Sequence, residues 1–220
     1  MATNLSKISR ENLTSKVFQQ IKEAIMSGRF QPIRSLATKM GTSITPVREA
    51  LLKLVSFGAL EMKPAHPITI PILNKEGYLE NRTIRLANEG LAAAEAAKKI
   101  KKRQLNRLVK INDDMFKAAR EKRFADAIAH NYSFHIELCR AAAMPALLEI
   151  VEILWLKIGP SLNMLHVATP NSLTIAKTNF HREILQALEK RDSEAAKTAM
   201  EQDLIQGGAA LLDYFDNQPS

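Results

Sequence analysis

The stretch "LATKMGTSITPVREALLKL", which runs from Leu36 to Leu54, constrains the fold more than any other part of the chain. Two short segments with apolar residues at helical spacing flank Gly41, and the second opens with Thr45 and Pro46. Threonine favours the N-cap position of a helix, and proline suits the first helical position. We therefore predict two short helices joined by a tight turn, with Thr45 as the N-cap and Pro46 as the first residue of the second helix.

The second of these helices has an apolar face and a polar face. The apolar residues are predicted to pack on the preceding helix: Val47, Ala50, Leu51, Leu54 and Val55. Arg48 lies outside that face, in the first turn, near the hydroxyls of Ser43 and Thr45. Because the N–H groups at a helix start attract phosphate, this group of side chains suits the major groove of DNA. A purely structural pair of helices would share the same periodicity, so the pattern alone leaves both interpretations open.

The basic excess of the chain is concentrated near its N-terminus. The formal net charge is +8; residues 1–73 contain 10 Lys and Arg against 4 Asp and Glu, and residues 74–220 contain 21 against 19. A basic segment is typical of a part that binds a polyanion, although ordinary solubilising charge is the alternative. The single cysteine, Cys139, excludes an internal disulfide framework. Since no export leader or apolar run of about 18 residues is present, we expect a cytoplasmic protein.

The predicted elements divide the chain into two domains near residue 73. The segment "ALEMKPAHPITIPIL" (59–73) predicts two short β-strands around a proline-containing turn, which would form a small β-wing. The pattern beyond Asn74 is helical, with about six helices near 75–100, 102–120, 122–142, 144–166, 172–190 and 193–216. The predicted fold class is therefore mainly α, with a winged helix-turn-helix in residues 1–73 and an all-α bundle in residues 74–220.

Residues 10–73, with "LATKMGTSITPVREALLKLVSFGAL" at their centre, resemble the winged helix-turn-helix of GntR-type bacterial transcription regulators. The remaining chain, which includes "FHREILQALEKRDSEAAKTAM", resembles the helical FCD effector-binding domain of the FadR-like branch. The resemblance implies that Arg34 contacts a base or a phosphate, that Arg48 contacts guanine, and that Ser43 and Thr45 contact the DNA backbone. Ile44 stands where the family pattern usually has an arginine, so we expect one contact to be lost.

Two further features depart from the family pattern. The wing segment "KPAHPI" lacks the usual glycine at its tip, so Lys63 and His66 are either minor-groove or phosphate contacts or solvated turn residues. The connection from Phe30 to Leu36 is shorter than the pattern, which indicates either a trimmed loop or residues missing from the sequence.

Polar residues on apolar stripes mark a candidate site in the helical domain. Asn131 and His135 lie one turn apart on one predicted helix, and His181 and Asp203 lie on the inward faces of two others. Facing helices build metal and ligand sites in this way. The resemblance implies that these four positions hold a divalent metal, although Asn131 and Asp203 differ from the family's residues. Two histidines with oxygen ligands suit zinc or nickel. The alternative is a pair of hydrogen-bonded core histidines around a metal-free pocket.

Arg85 is the candidate for effector binding. The resembling domains place an arginine four residues before a glutamate at the cavity wall, and its guanidinium could bind an effector carboxylate through two hydrogen bonds. A surface ion pair between Arg85 and Glu89 is the alternative interpretation.

The function that we predict is ligand-responsive regulation of transcription. The chain lacks the patterns G-x-x-x-x-G-K, G-x-S-x-G and H-E-x-x-H, and the candidate metal cluster has no obvious general base beside it. We expect a homodimeric repressor that binds a double-stranded DNA operator and is released by a small organic or sugar acid. The alternatives are a metal-dependent helical-bundle enzyme and a nucleic-acid-binding adaptor without an effector.

Overall fold

The computed structural model describes residues 10–26, 30, 32–168 and 180–217. The chain divides into two compact units, Met1–Pro71 and Ile72–Ser220. The predicted start of a helix near residue 172 lies outside the described residues, as does Gln31 in the short connection from Phe30 to Leu36.

Three helices build the described part of the first unit: α1 Arg10–Met26, α2 Ile33–Lys39 and α3 Ile44–Ser56. Their apolar faces meet in a core whose members are almost completely buried: Val17, Ile21, Ile25, Leu36, Ala37, Val47, Ala50, Leu51 and Leu54. Gly41 lies between α2 and α3 with a φ of +60°, a conformation that glycine adopts without a steric penalty. The predicted helix-turn-helix is therefore confirmed, and its turn depends on this glycine.

Helix α3 begins earlier than the sequence predicts. Ser43 is its N-cap, with φ −71° and ψ 165°, so Ile44 and not Pro46 is the first helical residue. The prediction that Thr45 caps this helix is wrong. Because the first four N–H groups of a helix have no partner within it, proline fits the third position as well as the first. Pro46 therefore permits a helix start here without fixing its position.

The segment after α3 forms one β-bridge in place of the predicted wing. Glu61 and Thr69 exchange two backbone hydrogen bonds of 2.8 and 3.0 Å, and the described residues contain no β-strand. The prediction of two short strands is wrong, because Pro64 and Pro67 have no N–H to continue the ladder. Ala65, at the turn, has a φ of +59°, a conformation that favours glycine.

Seven helices build the described part of the second unit: α4 Lys75–Lys99, α5 Lys102–Arg120, α6 Phe124–Ala141, α7 Pro145–Ala168, α8 Phe180–Lys190, α9 Ser193–Gly207 and α10 Ala209–Asp216. The predicted all-α bundle is confirmed. The single helix predicted over 193–216 is instead two helices, with Gly208 between them. None of the described helices combines the length and the apolar content that a membrane span requires.

Helix α4 is central to the second unit and contacts α6, α7, α8 and α9. Its inward face is made largely of small residues, and Ala92, Ala93 and Ala96 are fully buried. At Gly90 a methyl group would lie 3.1 Å from Glu201 Oε1 on α9. The polar residue Glu89, which immediately precedes Gly90 on α4, is completely buried as well.

The junction between α9 and α10 fits tightly against α4. The Tyr78 side chain is buried, and a Cβ atom placed on Gly208 would lie 1.7 Å from its hydroxyl oxygen. The neighbouring Gly207 has no atom within 4 Å of the corresponding position. Two adjacent glycines therefore have different roles, and only Gly208 is required by packing.

We expect Gly208→Ala to lower the free energy of unfolding by about 1–3 kcal/mol, because the buried Tyr78 ring must move. Gly207→Ala is the matched control, and its added methyl group should leave stability unchanged or raise it by up to about 1 kcal/mol. Equilibrium denaturation of both variants measures the difference. Equal stabilities of the two variants would contradict the packing argument.

Candidate functional site

Helix α3 presents its first turn to solvent on the side opposite the core. Ile44, Thr45 and Arg48 are exposed, and Val47 is fully buried. The adjacent Glu49 accepts a hydrogen bond of 3.0 Å from the Thr14 hydroxyl on α1. In the described part of the chain Arg48 has no ion-pair partner, so its guanidinium is available to an external acceptor.

The other predicted DNA contacts are exposed as well. Arg34, on α2, and Ser43, the N-cap of α3, have no side-chain hydrogen bond within the described residues. Lys63 forms an ion pair of 3.2 Å with Glu61, and His66 donates from Nδ1 to the Pro64 carbonyl at 2.8 Å. The two turn residues are therefore accessible but engaged in local contacts.

In the second unit, three helices bring His135, His181 and Asp203 together. The two imidazoles are 1% and 3% exposed, and one candidate ligand atom from each of the three residues lies within 4.8 Å of the others. His135 Nε2 lies 3.2 Å from Asp203 Oδ2, and His181 Nε2 lies 3.7 Å from Asp203 Oδ1. Asn131, one turn before His135 on α6, lines the same cavity. The structure therefore groups the four residues that the sequence singles out.

The far side of each imidazole contacts an acceptor. Glu89 Oε2 lies 2.6 Å from His135 Nδ1, and Asn112 Oδ1 lies 3.2 Å from His181 Nδ1. A hydrogen on each Nδ1 leaves the Nε2 lone pair directed at Asp203. His135 Nε2 is buried and has no partner with hydrogen-bond geometry. In the neutral imidazole this buried lone pair faces a carboxylate with no donor between them, an arrangement that a proton or a metal ion satisfies, so the residues present suit a metal ion.

Arg85 forms a buried ion pair on α4. Its Nε lies 2.6 Å from Glu89 Oε1, with the two side chains 7% and 0% exposed, so the alternative of a surface ion pair is wrong. The guanidinium lies over the Trp155 ring, 4.1 Å from its centroid. Its two Nη groups have no hydrogen-bond partner among the residues described, and Arg85 lines the same cavity as His135. The two Nη groups can therefore donate hydrogen bonds to a ligand oxygen.

The cavity between these helices has a volume of about 90 Å³. Charged and polar groups form one part of its wall, and aromatic and aliphatic side chains such as Trp155, Phe116 and Ile128 form the rest. An apolar pocket with a few convergent polar groups is the usual form of a small-molecule site.

Charged neighbours give the two histidines different protonation states. At His135, Glu89 and Asp203 outweigh the effect of burial and raise the pKa from 6.5 to about 9. At His181 burial dominates and lowers the pKa to about 4. Burial opposes the charge of Glu89, but Arg85 and His135 outweigh it and hold the pKa of that carboxyl below its ordinary value. Without a bound cation, His135 is therefore charged at neutral pH and His181 is neutral.

Sequence reasoning missed three contributors to this site. Glu89 accepts hydrogen bonds from both Arg85 and His135, and Asn112 accepts one from His181. The Trp155 ring lies against the Arg85 guanidinium. Asn112 carried a signal, because it lies on the apolar stripe of α5 between Leu108 and Met115. The contacts of Glu89 with His135 and of Arg85 with Trp155 join residues far apart in the sequence, and no local pattern predicts them.

Comparison with known proteins gives two family matches. Residues 13–70 match the family described as bacterial regulatory proteins, gntR family, and residues 82–206 match the FCD domain. The second match alone spans more than half of the chain.

Individual relatives agree with this assignment. The HTH-type transcriptional regulator McbR of Escherichia coli K12 is 31% identical over 216 residues, which cover 96% of this chain and 97% of that protein. A solved structure of McbR/YncC from E. coli superposes with a TM-score of 0.83 over 92% of this chain and 98% of the other. A probable D-xylose utilization operon transcriptional repressor of Paenarthrobacter nicotinovorans is 28% identical over 207 residues, covering 91% of this chain and 89% of that one.

The fold and the comparisons lead to the same assignment. The helix-turn-helix and the helical second unit agree with the two family matches and with McbR, which is matched over 97% of its length. The chain belongs to the GntR family of bacterial regulatory proteins, with an FCD domain as its second part, and it is a transcription regulator and not an enzyme.

Proposed function

We propose that this regulator is a cytoplasmic repressor that binds an operator as a homodimer and leaves it when a small carboxylated metabolite enters the second unit. DNA binding is assigned to residues 1–73, and effector binding and dimerisation to residues 74–220. The observation that carries the proposal is the second unit's cavity, which holds a guanidinium with free Nη groups beside a cluster fit for a cation. A cavity inside a helical bundle does not contact DNA bases, but it can bind a small ligand that controls DNA binding.

The DNA-binding surface is centred on α3. With this helix in the major groove, Arg48 can form two hydrogen bonds to a guanine edge, and Arg34 adds a second base or phosphate contact. The exposed hydroxyls of Ser43 and Thr45 suit phosphate oxygens, as do the side chains of Lys63 and His66 once their local contacts open. A homodimer supplies two copies of this surface for two half-sites of the operator.

His135, His181 and Asp203 suit a divalent ion such as Zn²⁺ or Ni²⁺, with the Asn131 amide as a further oxygen donor. Glu89 and Asn112 would hold the imidazoles in the ligating tautomer. An ion held by these residues would supply positive charge and Lewis acidity next to an oxygen of the effector.

The charges around the cavity favour an anionic effector. With neutral histidines, Arg85 contributes one positive charge and Glu89 and Asp203 contribute two negative ones. A divalent cation therefore leaves the site with one excess positive charge, which a single carboxylate neutralises. The Nη groups of Arg85 provide the directional contact for that carboxylate, which favours an organic or sugar acid. Two relatives bear the name of repressor, one of them for a D-xylose operon, and this supports repression as the mode of control.

We expect Arg48→Ala to weaken binding to the specific operator by about 5- to 150-fold per half-site, the equivalent of 1–3 kcal/mol for one guanine contact. Binding to unrelated DNA should change much less. Lys16→Ala, which removes an equal charge from the exposed face of α1, is the control and should affect both kinds of DNA alike. Titrations by fluorescence anisotropy at one salt concentration compare them. If Arg48→Ala lowered the affinity for both DNAs equally, Arg48 would contact only phosphate and not a guanine.

Purified protein that has been loaded with Zn²⁺ or Ni²⁺ and then dialysed should retain one ion per chain in elemental analysis. A variant with His135→Ala and His181→Ala should retain none, and His66→Ala, in the first unit, should behave as wild type. Glu89→Gln should weaken metal affinity by about 10- to 100-fold, as expected for a residue that orients a ligand. The metal assignment fails if wild-type protein carries no stoichiometric ion.

A screen of organic and sugar acids should identify compounds that raise the melting temperature, because a ligand at 100 times its Kd stabilises the folded state by about 2.7 kcal/mol. Arg85→Lys keeps a positive charge beside Glu89 but loses the planar fork, so the shift should be much smaller in this variant. Acids that raise the melting temperature should also release operator DNA. Thermal shifts of equal size in wild type and Arg85→Lys would exclude Arg85 from the effector site.

A further inference from the structure

Ile44 is an exposed apolar residue at the first position of helix α3. It is 43% exposed, although Val47 and Leu51, one and two turns further along the helix, are buried in the core. Arg48 follows one turn later, and residues four apart lie on the same face of a helix. The exposed start of α3 therefore combines one branched aliphatic side chain and one guanidinium with free donors.

Base-pair edges offer one apolar group in the major groove, the 5-methyl group of thymine. We propose that Ile44 is a specificity-determining residue that contacts a thymine methyl group in each half-site. This inference rests on the proposed binding of α3 in the major groove. An aliphatic side chain gains nothing from phosphates or from the polar edges of the other bases, so its presence among Ser43, Thr45 and Arg48 selects for thymine.

The geometry of the helix limits which thymine is contacted. Four residues of α-helix span about 6 Å, and successive base pairs are about 3.4 Å apart. When Arg48 binds a guanine, Ile44 therefore lies opposite a base one or two pairs away. The expected half-site has a guanine and a thymine at this spacing, and the two side chains specify the two bases together.

Leu52 provides a matched control on the same helix. It is 44% exposed and lies two turns beyond Ile44, about 12 Å along the axis. Because the N-terminal residues of a recognition helix contact the bases, Leu52 should lie outside the reading region. Both positions accept alanine without loss of core packing, so both variants should fold.

The test begins with selection of operators from a random duplex library by the full-length protein. Each thymine of the selected half-site is then replaced by deoxyuridine, which removes the methyl group and keeps the base pairing. One replacement should weaken wild-type binding by about fourfold per half-site, because the favourable burial of one methyl group is lost. Ile44→Ala should bind the thymine and deoxyuridine duplexes equally, and Leu52→Ala should keep the wild-type difference.

Loss of the deoxyuridine effect in Ile44→Ala alone supports the inference, because such non-additivity shows that the side chain and the methyl group interact. Wild-type binding that is indifferent to every replacement would overturn it, and so would a deoxyuridine effect that survives in Ile44→Ala. Either result leaves operator binding intact. If selection yields no preferred duplex, operator binding itself is refuted, and the inference falls with it.

Discussion

The second unit depends on the buried carboxylate of Glu89. Its two oxygens lie 2.6 Å from Arg85 Nε and 2.6 Å from His135 Nδ1, and the side chain is completely buried. An unpaired charge in this position would be strongly destabilising, so both partners are required to keep Glu89 ionised. The same two contacts hold Arg85 against Trp155 and fix the imidazole of His135 with Nε2 towards Asp203. One acidic residue on α4 thus positions both the Arg85 guanidinium and the His135 imidazole at the cavity wall.

The two histidines respond to pH in opposite directions. The raised pKa of His135, about 9, means that its protonated form stabilises the metal-free protein at neutral and low pH, and this contribution is lost as the pH rises through 9. The lowered pKa of His181, about 4, means that its neutral form contributes stability above pH 6.5, which is lost as the pH falls towards 4. The metal-free protein is therefore stabilised most between pH 4 and pH 9, where His135 is protonated and His181 is neutral.

The sequence predicted what local patterns encode. Apolar stripes at helical spacing gave the helix-turn-helix and the all-α bundle, and polar residues on those stripes identified His135 and His181. The wrong predictions concern features that depend on tertiary contacts, or a helix whose sequence is compatible with more than one first residue. Pro46 permits more than one start for α3, and the break at Gly208 follows from its approach to Tyr78. The partners of the histidines were missed because Glu89 and Asn112 lie 46 and 69 residues away in the sequence.

Acidic and basic residues are distributed differently in the two parts of the chain, and most of the excess positive charge lies in residues 1–73. Acidic and basic residues are nearly balanced beyond residue 73, where many are paired, as Glu95 is with Lys98 and Lys99. The excess of six positive charges in residues 1–73 includes Arg34 and Arg48, for which the described residues provide no acidic partner. Phosphate binding therefore breaks no ion pair at these two arginines, and the released counterions add to affinity in a salt-dependent way. Ile44 carries no charge and adds nothing to this electrostatic attraction, although its side chain is exposed beside Arg48.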